Sequence, residues 1–371
     1  MHPPLGLPDM VLPSLRIGLI GPLPPPSGGM ANQTQQLSEL LVAGGAKVTI
    51  VQVNAPHWPS WSGSVPVLRS LFRLVPYLSA LWRAAGNSDI FHVMANSGWA
   101  WHLFATPAVW VGHWRGVPVV VNYRGGEAKD FLRRSGHLVR FTIRRAFALI
   151  VPSGFLQGVF SEFGMTASIV PNVIDLSRFY PGERVRIDVP HLLVARNLEL
   201  LYDNETAIRA FHIVRERFPK ARLTVAGSGP EAQRLRQFVV DQGLGNSVYF
   251  TGRLERDAMA ALFRNADILL NPSLADNMPN SLLEAWSSGV PVVSTNVGGI
   301  PFLAQDGVNA SLVPPSDPKA MAQACIRLLS DDVELQRRAQ AGLQEAQRYT
   351  WGRVRPVLVD VYRRAMLSAT Q

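Results

Sequence analysis

The carboxylates of Asp276 and Glu284 flank a polar loop and the start of a predicted helix in the segment NPSLADNMPNSLLEAW (271–286). Carboxylates accept hydrogen bonds from hydroxyl groups, such as those of ribose and hexose rings. The first backbone amides of a helix have no partner within it, so they form a binding site for an anion such as a diphosphate. Carboxylates beside such a helix start therefore suit a sugar nucleotide.

The helix after this loop is predicted to begin next to Pro279. Asn280 or Ser281 is expected to cap it, and Ser281 with Glu284 has the spacing of a capping box. The backbone amides of Asn280, Ser281 and Leu282 are then expected to be unpaired and to face the anion. The alternative is an ordinary helix start with a capping glutamate, which is the commoner case for an isolated capping box.

Short apolar runs alternate with amphipathic stretches along the chain, and these elements must position the loop. Strands are predicted at 16–20, 48–53, 90–94, 117–122, 149–152, 192–195, 223–226, 248–251, 268–271 and 290–295. This alternation predicts an α/β protein with parallel sheets and helices on both faces. The pattern pauses in the polar, proline-containing stretch 171–190, which predicts a hinge between two doubly wound domains. Their strand ends are expected to face one central cleft.

Length and composition limit the class of protein. The chain has 371 residues, 47% hydrophobic and 17% charged, which is typical of a globular protein with two cores and excludes a disordered one. The lone Cys325 excludes an intrachain disulfide and favours a reducing compartment. The proline-rich start has neither a charged n-region nor a long apolar run, so we expect no signal peptide or membrane anchor and predict a cytoplasmic protein.

Most of the net charge of +9 lies in the first half of the chain. The segment LRRSGHLVRFTIRRAFALI (132–150) interleaves arginines with apolar residues and has no acid; its arginines are Arg133, Arg134, Arg140, Arg144 and Arg145. If 131–147 is helical, this segment forms a basic amphipathic helix suited to an anionic membrane surface; the commoner alternative is a packed helix with a solvated basic face. A second, weaker candidate at 67–85 is interrupted by Pro76. Nothing resembles a nucleic-acid-binding motif, so we predict no nucleic acid partner.

The segment Asn271–Gly299 closely resembles the donor-site signature of the retaining GT-B glycosyltransferases of the GT4 family. That signature has two acidic residues separated by seven others and followed by EA, a small residue, GVPVV and GG. Asp276 replaces the usual first glutamate. The resemblance continues, in order, in IGLIGPLPPPSGGMANQTQQLSELLVAGGAKVTIV, VPSGFLQGVFSEFG, PNVIDLSRFYP, RLTVAGSGPE, VYFTGRLERDAMAALFRNADILLNPS and RYTWGRVRPVLVDVYRRAM.

The resemblance implies the GT-B fold, with two doubly wound Rossmann-like domains whose parallel sheets face a central cleft. It implies an N-terminal acceptor-side domain over 1–180, a C-terminal nucleotide-sugar-binding domain over 181–350, and a helix over 351–371 that crosses back to the N-terminal domain. The implied activity is transfer of a sugar from a nucleoside diphosphate sugar to a glycan or lipid-linked acceptor, with retention of anomeric configuration. No metal and no other cofactor is expected.

By the same resemblance, Glu284 is expected to hold the ribose hydroxyls. Asp276 and the amides of Asn277 and Met278 are expected to hold the donor sugar. The amides of Asn280, Ser281 and Leu282 complete the implied donor-binding set at the helix start.

Arg196 is expected to stabilise the departing diphosphate, Arg253 to line the nucleobase pocket, and the loop of Gly28 and Gly29 to approach the donor phosphates. We assign the implied catalytic roles to Asp276, Arg196 and Arg124. Arg124 stands where relatives often have a histidine; it suits an anionic acceptor or a phosphate, and a surface arginine is an equal alternative.

Two departures from the family pattern leave alternatives open. The lysine that usually follows the diphosphate arginine is missing, and its position falls on Tyr202 or a neighbour. Together with Asp276 in place of glutamate, this keeps open a catalytically weakened sugar-nucleotide-binding subunit as the main alternative. A GT-B epimerase or phosphorylase is the second alternative. Gly227, Gly229 and Ala232 match G-x-G-x-x-A, but the acidic residue of a dinucleotide site is absent, so we interpret them as a tight strand-to-helix turn.

Overall fold

The computed structural model describes residue 12 and residues 15–25, 28–55, 66–182 and 189–369, with side chains of 66–73 and 369 left out. The proline-rich start of the chain, and the side chains of Arg69 and Arg73 in the second predicted basic segment, therefore lie outside the described residues. The chain divides into two compact units: Met1–Pro171 with Val354–Gln371, and Asn172–Arg353. The predicted domain limits stay predictions.

The first unit is built on a parallel sheet of six strands. They are β1 (Arg16–Gly21), β2 (Lys47–Gln52), β3 (Ile90–Ala95), β4 (Val119–Tyr123), β5 (Ala148–Val151) and β6 (Ser168–Ile169), in the order β2-β1-β3-β4-β5-β6. The helices between them are α1 (Gly29–Ala43), α2 (Pro66–Ala85), α3 (Thr106–Trp114), α4 (Ala128–Ile143) and α5 (Gly154–Glu162), with a π-helical turn at Trp101–Ala105. Every residue of β3 and of β4 is buried, because helices cover both faces of the sheet.

The second unit repeats this construction. Its strands are β7 (His191–Ala195), β8 (Arg222–Ala226), β9 (Val248–Gly252), β10 (Ile268–Asn271), β11 (Val292–Thr295) and β12 (Ser311–Val313), all parallel, in the order β12-β11-β10-β7-β8-β9. Its helices are α6 (Asn204–Arg217), α7 (Ala232–Asp241), α8 (Arg256–Arg264), α9 (Asn280–Ser287), α10 (Ile300–Leu303), α11 (Pro318–Ser330) and α12 (Asp332–Ala346). The last helix, α13 (Trp351–Ala369), passes from the second unit into the first.

Strand order fixes where each unit can bind a ligand. In the second sheet the order reverses between β7 and β10, so the loops after these two strands diverge and leave a crevice at their carboxyl ends. In the first sheet the reversal lies between β1 and β3. The prediction of an α/β protein with two parallel, doubly wound sheets is confirmed.

The predicted strands are all present, with ends within two residues of the prediction. Two details of the predicted helices were wrong. The helix α2 continues through Pro76 and is not interrupted there. The helix α4 begins and ends earlier than 131–147, so Arg144 and Arg145 follow it. None of the described helices combines the length and apolar character that a bilayer span requires.

Candidate functional site

Arg196 and Asp276 meet at the switch point of the second sheet. Arg196 is the first residue after β7, and Asp276 lies in the loop between β10 and α9. The Arg196 Nη2 atom forms an ion pair with Asp276 Oδ2, and the two side chains are only 11% and 13% exposed. The structure therefore brings together the residues predicted for the diphosphate and for the donor sugar.

The Arg196 guanidinium also packs over an aromatic ring. Its central carbon lies 4.2 Å from the ring centroid of Tyr202, the residue at or next to the position where the family pattern is expected to have a lysine. A guanidinium stacks well on an aromatic face, so Tyr202 holds the arginine in place and contributes no charge. Among the described residues, the buried Nε atom of Arg196 has no hydrogen-bond partner. This N–H is a donor available to a ligand.

The loop that carries Asp276 is fixed by its own backbone. The Asn277 amide donates to Asp276 Oδ1 (2.8 Å), and the expectation that this amide contacts the donor sugar stays a prediction. The Asn172 side chain donates to the Met278 carbonyl (3.0 Å) and to Asn280 Oδ1 (2.7 Å). These bonds set the shape of the loop just before α9.

The predicted capping box at the start of α9 was wrong. The N-cap residue is Pro279, and no side chain caps the helix. Ser281 already lies inside the first turn and is buried, so its hydroxyl cannot act as a cap. The Leu282 amide, predicted to be unpaired, donates to the Pro279 carbonyl (3.2 Å). The buried Ser281 Oγ has no partner among the described residues.

Glu284 lies in the helix that follows the loop and is half-buried. Burial raises the pKa of its carboxyl to about 7, although the nearby charges of Arg256 and Arg196 favour the ionised form. Arg256, at the start of α8, was not predicted as a site residue. The predicted Arg253 is exposed just after β9, and its role stays a prediction.

Glycines allow the site loops to pack closely, and sequence analysis missed this role. A Cβ atom on Gly227 would lie 1.9 Å from the Arg196 carbonyl oxygen, and one on Gly299 would lie 1.9 Å from the Asn277 carbonyl oxygen. A Cβ atom on Gly229 would lie 2.2 Å from the Leu198 carbonyl oxygen, and one on Gly298 would lie 2.3 Å from the Asp276 carbonyl oxygen. The G-x-G-x-x-A pattern therefore supports the loop that carries Arg196.

The predicted residues of the first unit have different surroundings. Gly28 is the N-cap of α1 and Gly29 its first residue, and no described atom lies within 4 Å of a Cβ built on either. Arg124 directly follows β4 and is half-buried; its Nε donates to Asn122 Oδ1 (3.0 Å) and its Nη1 to Gln33 Oε1 (2.8 Å). Burial lowers the pKa of Arg124 to about 10. Arg124 is thus held in place, unlike a freely solvated surface arginine.

Two family models match the chain. Residues 27–178 match the model described as Glycosyltransferase Family 4, and residues 192–331 match the model described as Glycosyl transferases group 1. The matched segments include Gly28, Gly29 and Arg124 in the first unit and Arg196, Asp276 and Glu284 in the second.

Curated relatives agree with these matches. The chain is 30% identical over 210 residues to a D-inositol 3-phosphate glycosyltransferase of Paenarthrobacter aurescens, an alignment that spans 53% of this chain and 52% of the relative. It is 24% identical over 378 residues to a phosphatidyl-myo-inositol mannosyltransferase of Mycobacterium leprae, spanning 96% and 99%. The chain thus spans about half the length of the first relative and nearly all of the second.

Solved structures share the fold. A sucrose-phosphate synthase from Thermosynechococcus elongatus superposes with a TM-score of 0.77 at 20% identity, covering 96% of this chain and 100% of that one. The Anabaena protein Alr3699/HepE, in complex with UDP and glucose, gives 0.72 at 16% identity, covering 94% and 99%. With both family models matched along the chain, the sequence-based prediction is confirmed: the chain belongs to the GT4 family of retaining glycosyltransferases, group 1, and has the GT-B fold.

Proposed function

We propose that this chain transfers a sugar from a nucleoside diphosphate sugar to an acceptor with retention of anomeric configuration. The observation that carries the proposal is the meeting of Arg196 and Asp276 at the β7–β10 switch point, with Arg196 Nε unpartnered among the described residues. An arginine fork matches the oxygens of a diphosphate, and a carboxylate accepts hydrogen bonds from sugar hydroxyls. Both ligand halves therefore have a partner at one crevice.

In this proposal Arg196 exchanges partners when the donor binds. The diphosphate takes the place of Asp276 on the guanidinium, and the freed carboxylate accepts from the donor sugar. Arg196 then stabilises the negative charge that develops on the leaving diphosphate, the electrostatic contribution that usually dominates such a transfer. Glu284 accepts hydrogen bonds from the ribose, and the charges of Arg256 and Arg196 favour its ionised form. Since HepE was solved with UDP, a UDP-sugar is the first donor to test.

The acceptor in our proposal carries an anionic group that Arg124 holds. A half-buried guanidinium fixed by two amide oxygens is suited to a phosphate. The two relatives described above are named for acceptors that contain a phosphate group. The loop of Gly28 and Gly29 leaves room for donor phosphates.

An epimerase, a phosphorylase and a weakened binding subunit are not favoured, because the family matches are to glycosyltransferases.

Turnover by the purified full chain tests the function directly. We expect nucleoside diphosphate release from one of a panel of UDP-, GDP- and ADP-sugars when an inositol phosphate or another phosphorylated polyol is supplied. Proton NMR of the product should show the donor's anomeric configuration. Inversion, or the absence of transfer from every donor to soluble and lipid-linked acceptors alike, would contradict the proposal.

We propose further that the enzyme is cytoplasmic and acts at an anionic membrane surface, through an aromatic and basic surface on α3, α4 and the turn just after α4. This surface consists of Trp110, Trp114, Leu138, Phe141 and Arg145. Trp114 and Leu138 are 67% and 62% exposed, and the Arg145 guanidinium lies 4.1 Å from the Phe141 ring and 4.8 Å from the Trp110 ring. Aromatic rings with arginines suit the level of lipid headgroups.

The described arginines around this surface differ in whether a carboxylate pairs with them. Arg133 pairs with Asp130 (3.1 Å), which lies just before the acid-free segment, whereas Arg134 and Arg144 are exposed. We expect sedimentation with anionic vesicles, little with neutral ones, and a steep loss with added salt. Replacing Arg134 and Arg144 together by alanine should weaken binding, while the same change at Arg217 and Lys220, exposed in the second unit, should not. Equal binding to both vesicle types would rule the surface out.

A further inference from the structure

A line of buried polar side chains crosses the sheet of the first unit and ends at Arg124. The Arg124 Nε bonds to Asn122 Oδ1 (3.0 Å), Asn122 Nδ2 to His92 Nε2 (3.0 Å), and His92 Nδ1 to the hydroxyl of Tyr362 (2.7 Å). Asn122, His92 and Tyr362 are each at most 1% exposed. Buried polar groups in apolar surroundings are costly unless every member is satisfied. Such a line therefore has one preferred arrangement.

The chemistry of the groups fixes the direction of every bond. An arginine Nε only donates, so the Asn122 oxygen must accept from it. The amide nitrogen of Asn122 then faces His92 and donates to Nε2. A neutral imidazole that accepts at Nε2 carries its proton on Nδ1, which donates to the Tyr362 oxygen. Burial, together with the charge of Arg124, lowers the pKa of His92 to about 3, which agrees with a neutral ring.

We propose that Tyr362, His92 and Asn122 are positioning residues that hold the Arg124 guanidinium in the orientation that its ligand requires. They act through Arg124 and do not contact substrate. Gln33 on α1 accepts from the other side of the guanidinium, so α13 and α1 are connected through one buried line within the first unit. The part concerning catalysis rests on the proposed function; the part concerning the hydrogen bonds does not.

The first test detects the hydrogen bonds by NMR and does not depend on sugar transfer. In the 15N-labelled full chain, His92, assigned by loss of its signal in His92→Gln, should show the Nδ1–H tautomer and should not titrate between pH 5 and 8. Tyr362→Phe removes the acceptor for that proton and should shift the Arg124 Nε–H resonance. The Nε2–H tautomer, or an Arg124 resonance unchanged by Tyr362→Phe, would overturn the proposal, whether or not the protein transfers sugar.

The second test separates positioning from stability. Tyr77→Phe is a matched control: Tyr77 is buried in the same unit, and its hydroxyl donates to the Phe104 carbonyl (2.7 Å), away from Arg124. Both variants lose one buried hydroxyl and should lose comparable thermal stability. Only Tyr362→Phe should lower kcat/KM, by roughly tenfold to a hundredfold, because small displacements of a positioning group are costly.

A double-mutant cycle completes the design. In an Arg124→Ala background the line no longer has a guanidinium to orient, so Tyr362→Phe should change kcat/KM less than about twofold. An undiminished effect in that background would show that Tyr362 acts by another route and would overturn the positioning role. If the wild type shows no transferase activity at all, the proposed function fails, while the NMR result still decides the existence of the line.

Discussion

Arg196 in the second unit and Arg124 in the first each directly follow a buried parallel strand, β7 and β4. The carboxylate of Asp276 pairs with Arg196, and the Arg196 guanidinium stacks on the ring of Tyr202. The hydrogen bonds described for Arg124 go to the side-chain amide oxygens of Asn122 and Gln33. Both acceptors are neutral, so these two bonds do not neutralise the positive charge of Arg124. In our proposal a ligand displaces the carboxylate on Arg196, whereas the hydrogen bonds to Asn122 and Gln33 already orient Arg124 before a ligand binds.

The glycines of the two units also differ in how closely other atoms pack against them. Gly227 and Gly299 are required because another backbone lies against them, so the loops of the second unit are packed before any ligand arrives. Among the described residues, no atom lies within 4 Å of a Cβ built on Gly28 or Gly29. The loops proposed to bind the donor are therefore closely packed in the second unit, whereas no described atom crowds the Gly28–Gly29 loop of the first unit.

The largest effect is expected at Arg196. Arg196→Ala should lower kcat by a factor on the order of 100 to 1000, as the loss of a group that stabilises developing charge does, and Arg196→Lys should not restore it because the fork is lost. Arg209→Ala is a matched control, since Arg209 pairs with Glu205 (2.7 Å) and packs over the Phe238 ring (4.6 Å). Steady-state kinetics should separate the two. A wild-type rate in Arg196→Ala would remove Arg196 from the reaction.

The next effect concerns the exchange of partners at Asp276. Asp276→Asn removes the charge that competes with the diphosphate for Arg196, so affinity for free nucleoside diphosphate should stay the same or rise. Sugar transfer should fall by roughly tenfold to a hundredfold, because the donor sugar loses a charged acceptor. Calorimetric titration with UDP and turnover with the UDP-sugar measure the two quantities. Parallel loss of both would show that Asp276 holds the nucleotide and not the sugar.

Sequence patterns predicted the framework of both units better than the contacts within the site. Strands such as β4 and β10 begin with short buried apolar runs, VVV and ILL, whose length favours a strand over a helix. The strands β6 (Ser168–Ile169) and β12 (Ser311–Val313) are too short to show a pattern. The start of α9 was misread because spacing alone cannot show that Ser281 is buried. The role of Gly227 depends on Arg196, thirty-one residues away in the chain, and Arg256 becomes relevant only because the fold brings its charge near Glu284.

Glu284 is expected to lower the stability of the fold at high pH while it strengthens donor binding. Its folded-state pKa of about 7 lies above the ordinary value of 4.5, so the folded protein holds this proton more tightly. The cost of the buried charge is absent below about pH 4.5 and grows as the pH rises through 7, to at most about 3 kcal/mol. Glu284→Gln should therefore raise the free energy of unfolding at pH 8 but not at pH 4.5, and weaken donor binding. Urea denaturation at both pH values checks this, and an equal change at both would contradict the raised pKa.

The smallest effect is expected at Gly29, where the contrast between the units can be tested with one type of substitution. Gly29 is the first residue of α1, and no described atom lies within 4 Å of a Cβ built on it. Gly29→Ala should therefore stabilise the fold by about 0.5 to 1 kcal/mol, since alanine loses less backbone entropy. Gly227→Ala should destabilise it, because the new methyl group meets the Arg196 carbonyl. If donor phosphates pass close to Gly29, the stabilised variant should nevertheless show a higher KM for the donor, with kcat little changed. Thermal unfolding and donor kinetics on the two variants decide the matter: a stabilised Gly29→Ala with an unaltered KM would mean that the open space beside α1 does not receive the donor.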